Sequence, residues 1–213
     1  MKNPDNLTSI PAVRPAAIRY RNACFLNSVH SLAQLPPDTG REVAFAGRSN
    51  AGKSSALNVL TSQRQLARVS KTPGRTQLLN FFQMEPERYL VDLPGYGYAQ
   101  VPDAIRQHWR LLLERYLRER RALCGLMLLM DIRHPLTPLD RQLLDSCAYR
   151  QLSTHILLTK TDKLSRGAAR TVLQQVQKML KTDYPSASAQ LFSAMTQLGM
   201  DEAHAQLDQW LGY

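Results

Sequence analysis

Between the apolar run Glu42-Val-Ala-Phe-Ala46 and the helix-like Ala56-Leu-Asn-Val-Leu60, the chain reads GRSNAGKSS. The spacing Gly47-x4-Gly52-Lys53-Ser54 is that of a phosphate-binding loop, where a strand hands over to a helix. Glycines let backbone N–H groups turn inward around a phosphate, and the helix brings the positive end of its dipole to the same place. On this pattern Lys53 reaches the β- and γ-phosphates and the Ser54 hydroxyl coordinates Mg²⁺. A bound nucleoside triphosphate is therefore expected, with a ligand-free glycine turn as the alternative.

The rest of the chain alternates between two periodicities. Strands are expected at Glu42–Ala46, Leu78–Met84, Tyr89–Asp92, Gly125–Asp131, His155–Thr159 and Ala189–Phe192. Helices are expected at Lys53–Leu60, Asp103–Arg120, Pro138–Tyr149, Arg166–Lys181 and Met200–Leu211. This alternation predicts an α/β fold whose sheet is mostly parallel. Leu126-Met-Leu-Leu-Met130 and Ile156-Leu-Leu158 are apolar on both sides, so helices must cover both faces. Residues 1–17 read as a loose, proline-bearing lead-in, and 18–213 as a single nucleotide-binding domain. The part from Ile18 to Leu35 is short and either extended or helical. Pro36-Pro37-Asp38-Thr39-Gly40 ends it.

Composition narrows the function classes. No apolar run is long enough to cross a bilayer and no signal peptide is evident, so no membrane partner and a cytoplasmic location are expected. Cys24, Cys124 and Cys147 read as buried free thiols, and the histidines lack metal-ligand spacing. The net charge of +10 points toward a polyanionic partner. From Val43 to Met84 there is no Asp or Glu, yet Arg48, Lys53, Arg64, Arg68, Lys71 and Arg75 all occur there. Further cations lie along two expected helices. One carries Arg106, Arg110, Arg115, Arg118, Arg120 and Arg121, with Glu114–Arg118 as an i,i+4 pair; the other region carries Lys163, Arg166, Arg170, Lys178 and Lys181. These are either solvated faces or a nucleic-acid surface. The last stretch, with Asp201, Glu202 and Asp208, has no Lys or Arg.

Three more motifs fall at strand ends, where ligands sit in such sheets. Asp92-Leu-Pro-Gly95 supplies a carboxylate able to hold Mg²⁺ through water, and a glycine whose N–H can approach a γ-phosphate. Thr159-Lys160-Thr161-Asp162 supplies a carboxylate that accepts from guanine N1–H and N2–H₂, a donor pair adenine lacks. The Lys160 stem can cover the base. Thr stands where Asn is commoner, so its hydroxyl is expected to replace an amide contact. At Phe192-Ser193-Ala194, the Ala194 N–H can donate to guanine O6. Between the phosphate loop and the next strand lies KTPGRTQ, in which Thr76 is the candidate to complete the Mg²⁺ shell and Thr72 its competitor. A second mobile segment is expected at Gly95-Tyr-Gly-Tyr-Ala-Gln-Val101.

Together GRSNAGKSS, KTPGRTQ, DLPGYGYA, TKTD and FSA resemble the EngB family of bacterial GTPases, also called YihA or YsxC, over about residues 18–212. The resemblance implies a Ras-like P-loop GTPase fold, slow Mg²⁺-dependent GTP hydrolysis and association with the RNA and proteins of the assembling large ribosomal subunit. It also implies a requirement for normal cell division and septation, and a monomeric chain is expected. Carried over by motif, it implies that Gly47, Arg48, Ser49, Asn50, Ala51, Gly52, Lys53 and Ser54 hold the phosphates. Gly74, Arg75, Thr76, Gln77 and Leu78 would form the first switch, and Asp92, Leu93, Pro94 and Gly95 would sense the γ-phosphate. Thr159, Lys160, Thr161 and Asp162 would bind guanine, and Phe192, Ser193 and Ala194 would close over it. Ser54 and Thr76 would be the magnesium ligands.

No side chain stands out as a catalytic base; Lys53, Thr76 and Gly95 are the expected transition-state contacts. Tyr96 follows Gly95, where Ras-type enzymes carry a water-orienting glutamine. A tyrosine cannot place water as an amide does and is expected to turn away. Hydrolysis is then expected to be slow, near the intrinsic Ras scale of ~10⁻⁴ s⁻¹. Asn50 is a candidate ligand for a monovalent cation such as K⁺, with a plain loop contact as the alternative. The rival readings are a GTP-ordered binding module with incidental hydrolysis and a P-loop kinase.

Overall fold

The computed structural model describes residues 19–67, 78–97 and 103–213. Residues 1–18 with the lead-in, residues 68–77 with Thr72, Gly74, Arg75, Thr76 and Gln77, and residues 98–102 with the end of the second expected mobile segment lie outside them. Seven strands form one sheet: β1 Cys24–Val29, β2 Arg41–Gly47, β3 Leu79–Glu85, β4 Arg88–Asp92, β5 Leu123–Asp131, β6 Thr154–Thr159 and β7 Ala187–Leu191. The helices are α1 Lys53–Leu60, α2 Asp103–Glu119, α3 Pro138–Tyr149, α4 Arg166–Asp183 and α5 Met200–Leu211.

The strand order is β1-β3-β4-β2-β5-β6-β7. From β4 through β7 every pairing is parallel, while β3 runs antiparallel to both β4 and β1. The mostly parallel sheet expected from the alternation is thus present, with an antiparallel margin. Of the part expected to be extended or helical, the described residues 19–35 contain the edge strand β1 followed by a 3-10 turn at Leu32–Gln34.

Central strands feed both faces. Ala44 and Ala46 of β2, Leu126, Leu128 and Met130 of β5, and Ile156 and Leu158 of β6 pack with Leu112 and Tyr116 of α2, Leu144 of α3 and Val176 and Leu180 of α4. Their alternates Val43, Phe45, Met127, Leu129 and Leu157 pack with Leu57 and Leu60 of α1 and Leu207 and Trp210 of α5. A strand with helices on both sides needs this continuous apolar run.

A buried ion pair joins the amino-terminal ends of the sheet. Glu42 is fully buried and accepts from Tyr116 Oη at 2.9 Å and Arg120 Nη2 at 2.5 Å. Arg120 also donates to the carbonyls of Pro36 at 2.9 Å and Pro37 at 3.0 Å. This corrects the reading of Arg120 as a surface cation. Helix α2 stops at Glu119, and the next residue turns into the core because Glu42 requires a counter-charge there. The expected Glu114–Arg118 pair is also replaced, by Arg115–Glu119 at 3.2 Å. Of the three thiols, only Cys147 is buried; Cys124 is half-buried, and Cys24 is exposed because it starts an edge strand.

Candidate nucleotide site

Strand β2 delivers Gly47 against β5, so closely that a Cβ there would lie 2.7 Å from the Leu129 carbonyl oxygen. The loop then bends through Asn50 at φ 63° and Gly52 at φ 93° before α1 begins at Lys53. Ala51 N–H donates to Arg48 O at 2.9 Å, and Ala56 N–H to Gly52 O at 2.9 Å. The first turn of α1 carries Lys53 and Ser54 with no acidic residue. Its N–H groups and dipole leave the loop favourable to an anion.

Strand β4 ends beside this loop. Asp92 pairs in register with Phe45 of β2, and Leu93 N–H donates to Phe45 O at 2.9 Å. The Asp92 carboxylate is nearly buried and is ion-paired to Lys53 Nζ. Leu93 and Pro94 are buried, and Gly95 is half-buried. Tyr96 then lies against the loop: Ser49 N–H donates to Tyr96 O at 2.8 Å, and Tyr96 N–H to Gly47 O at 3.4 Å. Its hydroxyl turns to α3 and donates to Asp140 Oδ1 at 2.6 Å. Burial and the Asp140 carboxylate raise the Tyr96 phenol well above its ordinary range. Leu78, half-buried, directly precedes β3.

The opposite side is built from β6, β7 and their loops. The Thr159 hydroxyl is buried and lies 2.6 Å from the Ala51 carbonyl oxygen and 3.1 Å from that of Met130. These bonds tie the end of β6 to the phosphate loop. Lys160, at φ 59°, sends Nζ to Asn50 O at 2.6 Å and to Asp131 Oδ2 at 3.0 Å. Thr161 is buried and donates its hydroxyl to Phe192 O at 3.2 Å. Ser193, fully buried, donates its hydroxyl to Asp162 Oδ1 at 2.7 Å. That bond is the chief cause holding the Asp162 carboxyl below its ordinary range.

A cavity of about 950 Å³ runs between these elements, lined by Gly52 and Ser55 on one side and by Thr159, Lys160, Asp162 and Ala194 on the other. A smaller one, about 220 Å³, lies beside Arg48, Asn50, Asp131, Arg133, Asp140 and Lys160. Asp131 was not singled out in the sequence, although an acid closing the apolar run of β5 is a readable signal. Arg133 Nη2, 2.6 Å away, and Lys160 hold its carboxyl well below the ordinary range. Asp140 was missed as well; its Oδ2 accepts from Thr137 N–H at 2.8 Å in the cap of α3. Among the described residues no group of three or more His, Cys, Asp and Glu side chains could hold a metal ion. No described helix is long and apolar enough to cross a membrane.

A family model described as "50S ribosome-binding GTPase" matches residues 42–160. The chain is 56% identical over 193 residues to the "Probable GTP-binding protein EngB" of Nitrosococcus oceani, covering 91% of this chain and 96% of that one. It is 58% identical over 186 residues to the protein of the same name from Stenotrophomonas maltophilia, covering 87% and 93%. Among solved structures, a probable GTP-binding protein engB superposes with a TM-score of 0.66 at 17% identity, over 80% of this chain and 98% of that one. Era, solved with MgGDPNP and a 16S ribosomal RNA segment, gives 0.62 at 20% identity, over 81% and 57%. At these identities the two structures speak for the fold alone.

Proposed function

Because this chain belongs to the EngB family of GTP-binding proteins, we propose that it is a GTP-operated switch acting on the large ribosomal subunit during its assembly in the cytoplasm. The observation that carries this reading is that Gly52 of the phosphate loop and Asp162 of the base element line one cavity. That geometry lets one ligand present phosphates to the α1 N-terminus and a guanine edge to the Asp162 carboxylate.

Residues 47–54 receive the phosphates, and Lys53 exchanges its Asp92 partner for phosphate oxygens. Lys160 packs along the base plane, Asp162 selects guanine, and the Ala194 N–H faces O6. Ser54 and Thr76 would hold Mg²⁺, with the Asp92 carboxylate supporting the site. The described donors fit: a hydroxyl in the first turn of α1 and a nearly buried carboxylate at the end of β4 are oxygen ligands suited to a hard cation. Bound there, the ion would neutralise phosphate charge. Tyr96, with its hydroxyl on Asp140, does not orient attacking water as a glutamine there would, so turnover is slow, about 10⁻⁴ s⁻¹ without a partner. Asn50 is the candidate contact for K⁺. A requirement in cell division and septation follows as part of the same reading.

The test is competition of GTP, GDP and ATP against a fluorescent guanine nucleotide, followed by co-sedimentation with large subunits. Guanine nucleotides displace the probe and ATP does not; GTP-loaded protein sediments with the particles more than the GDP form. Equal displacement by ATP would overturn guanine selection. Sedimentation independent of nucleotide would overturn the switch.

A further inference from the structure

The excess positive charge sits on two helices that the structure makes unequal. On α2, Arg115 pairs with Glu119 at 3.2 Å and Arg118 approaches the same carboxylate at 3.6 Å. The next cation, Arg120, is committed to buried Glu42. Helix α4 differs. Arg166, Arg170, Lys178 and Lys181 are all exposed, and none has an ion pair or side-chain hydrogen bond among the described residues. The acid on α4 is Asp183, its last residue.

Helical periodicity orders these side chains. Ala169, Val176 and Leu180 are buried against the sheet. At 3.6 residues per turn, Arg166, Arg170, Gln174, Gln177 and Lys181 fall within an arc of about 80°, and Lys178 borders it. The stripe is about 22 Å long at 1.5 Å per residue. Gln177 leans toward the sheet edge, donating to Ala189 O of β7 at 3.1 Å. The helix N-terminus, capped by Ser165, follows the base element directly, so the stripe starts beside the nucleotide cavity.

We infer that the exposed face of α4 from Arg166 to Lys181 docks on the phosphate backbone of a double-stranded RNA segment, and that Arg115 and Arg118 of α2 do not. The inference rests on the ribosome-associated reading above and names the surface that carries it. A straight row of cations matches an extended polyanion with regularly spaced charge. Interleaved glutamine amides suit phosphate oxygens and 2′-hydroxyls, which dominate duplex RNA recognition. A membrane surface fits poorly, because an interfacial helix needs apolar residues beside its cations. None of the exposed large hydrophobics, Phe25, Leu26, Leu111, Leu139, Tyr149, Met195, Leu198 and Tyr213, lies on α4.

The experiment compares the full chain with R166Q/R170Q/K178Q/K181Q and with R115Q/R118Q. Binding is measured between 50 and 200 mM salt, on the order of the range over which phosphate contacts register. The probes are purified large subunits, a short RNA duplex and phosphatidylglycerol vesicles. Each duplex phosphate contact contributes about 0.9 to the slope of log affinity against log salt. The α4 variant should lose about 3 to 4 from that slope on particles and duplex, and bind at least about tenfold more weakly at low salt. The α2 variant should match wild type, and guanine-nucleotide affinity should be the same in all three, showing that the site is folded. An unchanged slope in the α4 variant, an equal loss in the α2 variant, or a loss seen on vesicles instead of RNA overturns the inference. Wild type that binds GTP yet binds neither particles nor duplex overturns the ribosomal reading along with it. Particle binding that ignores the α4 charges overturns the inference alone.

Discussion

The Tyr96 hydroxyl donates to Asp140 at 2.6 Å while the Tyr96 carbonyl accepts from Ser49 N–H at 2.8 Å, so one residue ties the segment after Gly95 to both α3 and the phosphate loop. Asp140 is itself fixed by its bonds to Thr137. Hydrogen bonds to a charged partner contribute about 1.5–3 kcal/mol. Tyr96→Phe should lower the melting midpoint by several degrees, at about 2–4 °C per kcal/mol for a chain this size. On the proposed approach of Gly95 to a γ-phosphate, the same change should alter the ratio of GTP to GDP affinity. A lower midpoint with an unchanged ratio would assign the bond to stability alone.

Guanine selection by Asp162 predicts a reciprocal change of base. Asp162→Asn should weaken GTP binding strongly and favour xanthine nucleotides, whose 2-oxo group accepts where guanine donates. Unchanged GTP affinity with no gain for XTP would remove Asp162 from the base site. Ser193 holds the Asp162 carboxyl below the ordinary aspartate value of 3.8. Ser193→Ala should therefore raise its titration midpoint, read by carboxyl NMR; an unmoved midpoint would contradict the cause assigned here.

Stability at the opposite end of the sheet rests on Arg120. With Glu42 fully buried, Arg120→Ala leaves a carboxylate without its counter-charge. Breaking such a pair costs about 3–5 kcal/mol. Glu42→Gln together with Arg120→Met should recover much of that loss, measured by denaturant unfolding. A single variant that loses under about 1 kcal/mol would contradict the pair's structural weight.

Acid sensitivity should follow His155. Burial lowers its pKa, and its ring nitrogens lie 2.6 Å from Ser188 Oγ and 2.7 Å from Gln190 Oε1. The unfolded imidazole keeps its ordinary value of 6.5, so below that pH the unfolded chain binds the extra proton. Its contribution to stability is complete above pH 6.5 and lost as pH falls toward the lowered folded value. His155→Gln should flatten the stability profile on that acid limb. An equally steep profile in the variant would place the sensitivity elsewhere.

Local signals made much of this molecule readable in advance. Helices α1, α3 and α5 begin and end where their sequence does: Gly52 and Gly199 precede two of them, and Thr137-Pro138 opens the third. Strand β1 was not readable, since CFLNSV has neither alternation nor a continuous apolar run and is placed by pairing with β3. The motifs told which residues come together around the cavity better than which partners each one takes. Thr159 bonds to Ala51, 108 positions away, and Arg120 to Glu42, 78 positions away. No spacing rule reaches across such separations. Asp140 meets Tyr96 and Asp131 meets Lys160 in the same way, although Thr137 and Arg133 beside them are local partners.

Glu42 is the second residue of β2 and Gly47 follows it by five residues, so one short strand runs from the buried ion pair to the phosphate loop. The two ends therefore fail differently. Damage at the Glu42 end should produce heat-sensitive protein that still discriminates nucleotides while folded. Damage just past Gly47, as at half-buried Ser54 of the loop, should produce sturdy protein that has lost its sense of which nucleotide is bound. A collection of loss-of-function alleles sorted by growth temperature should divide along this strand.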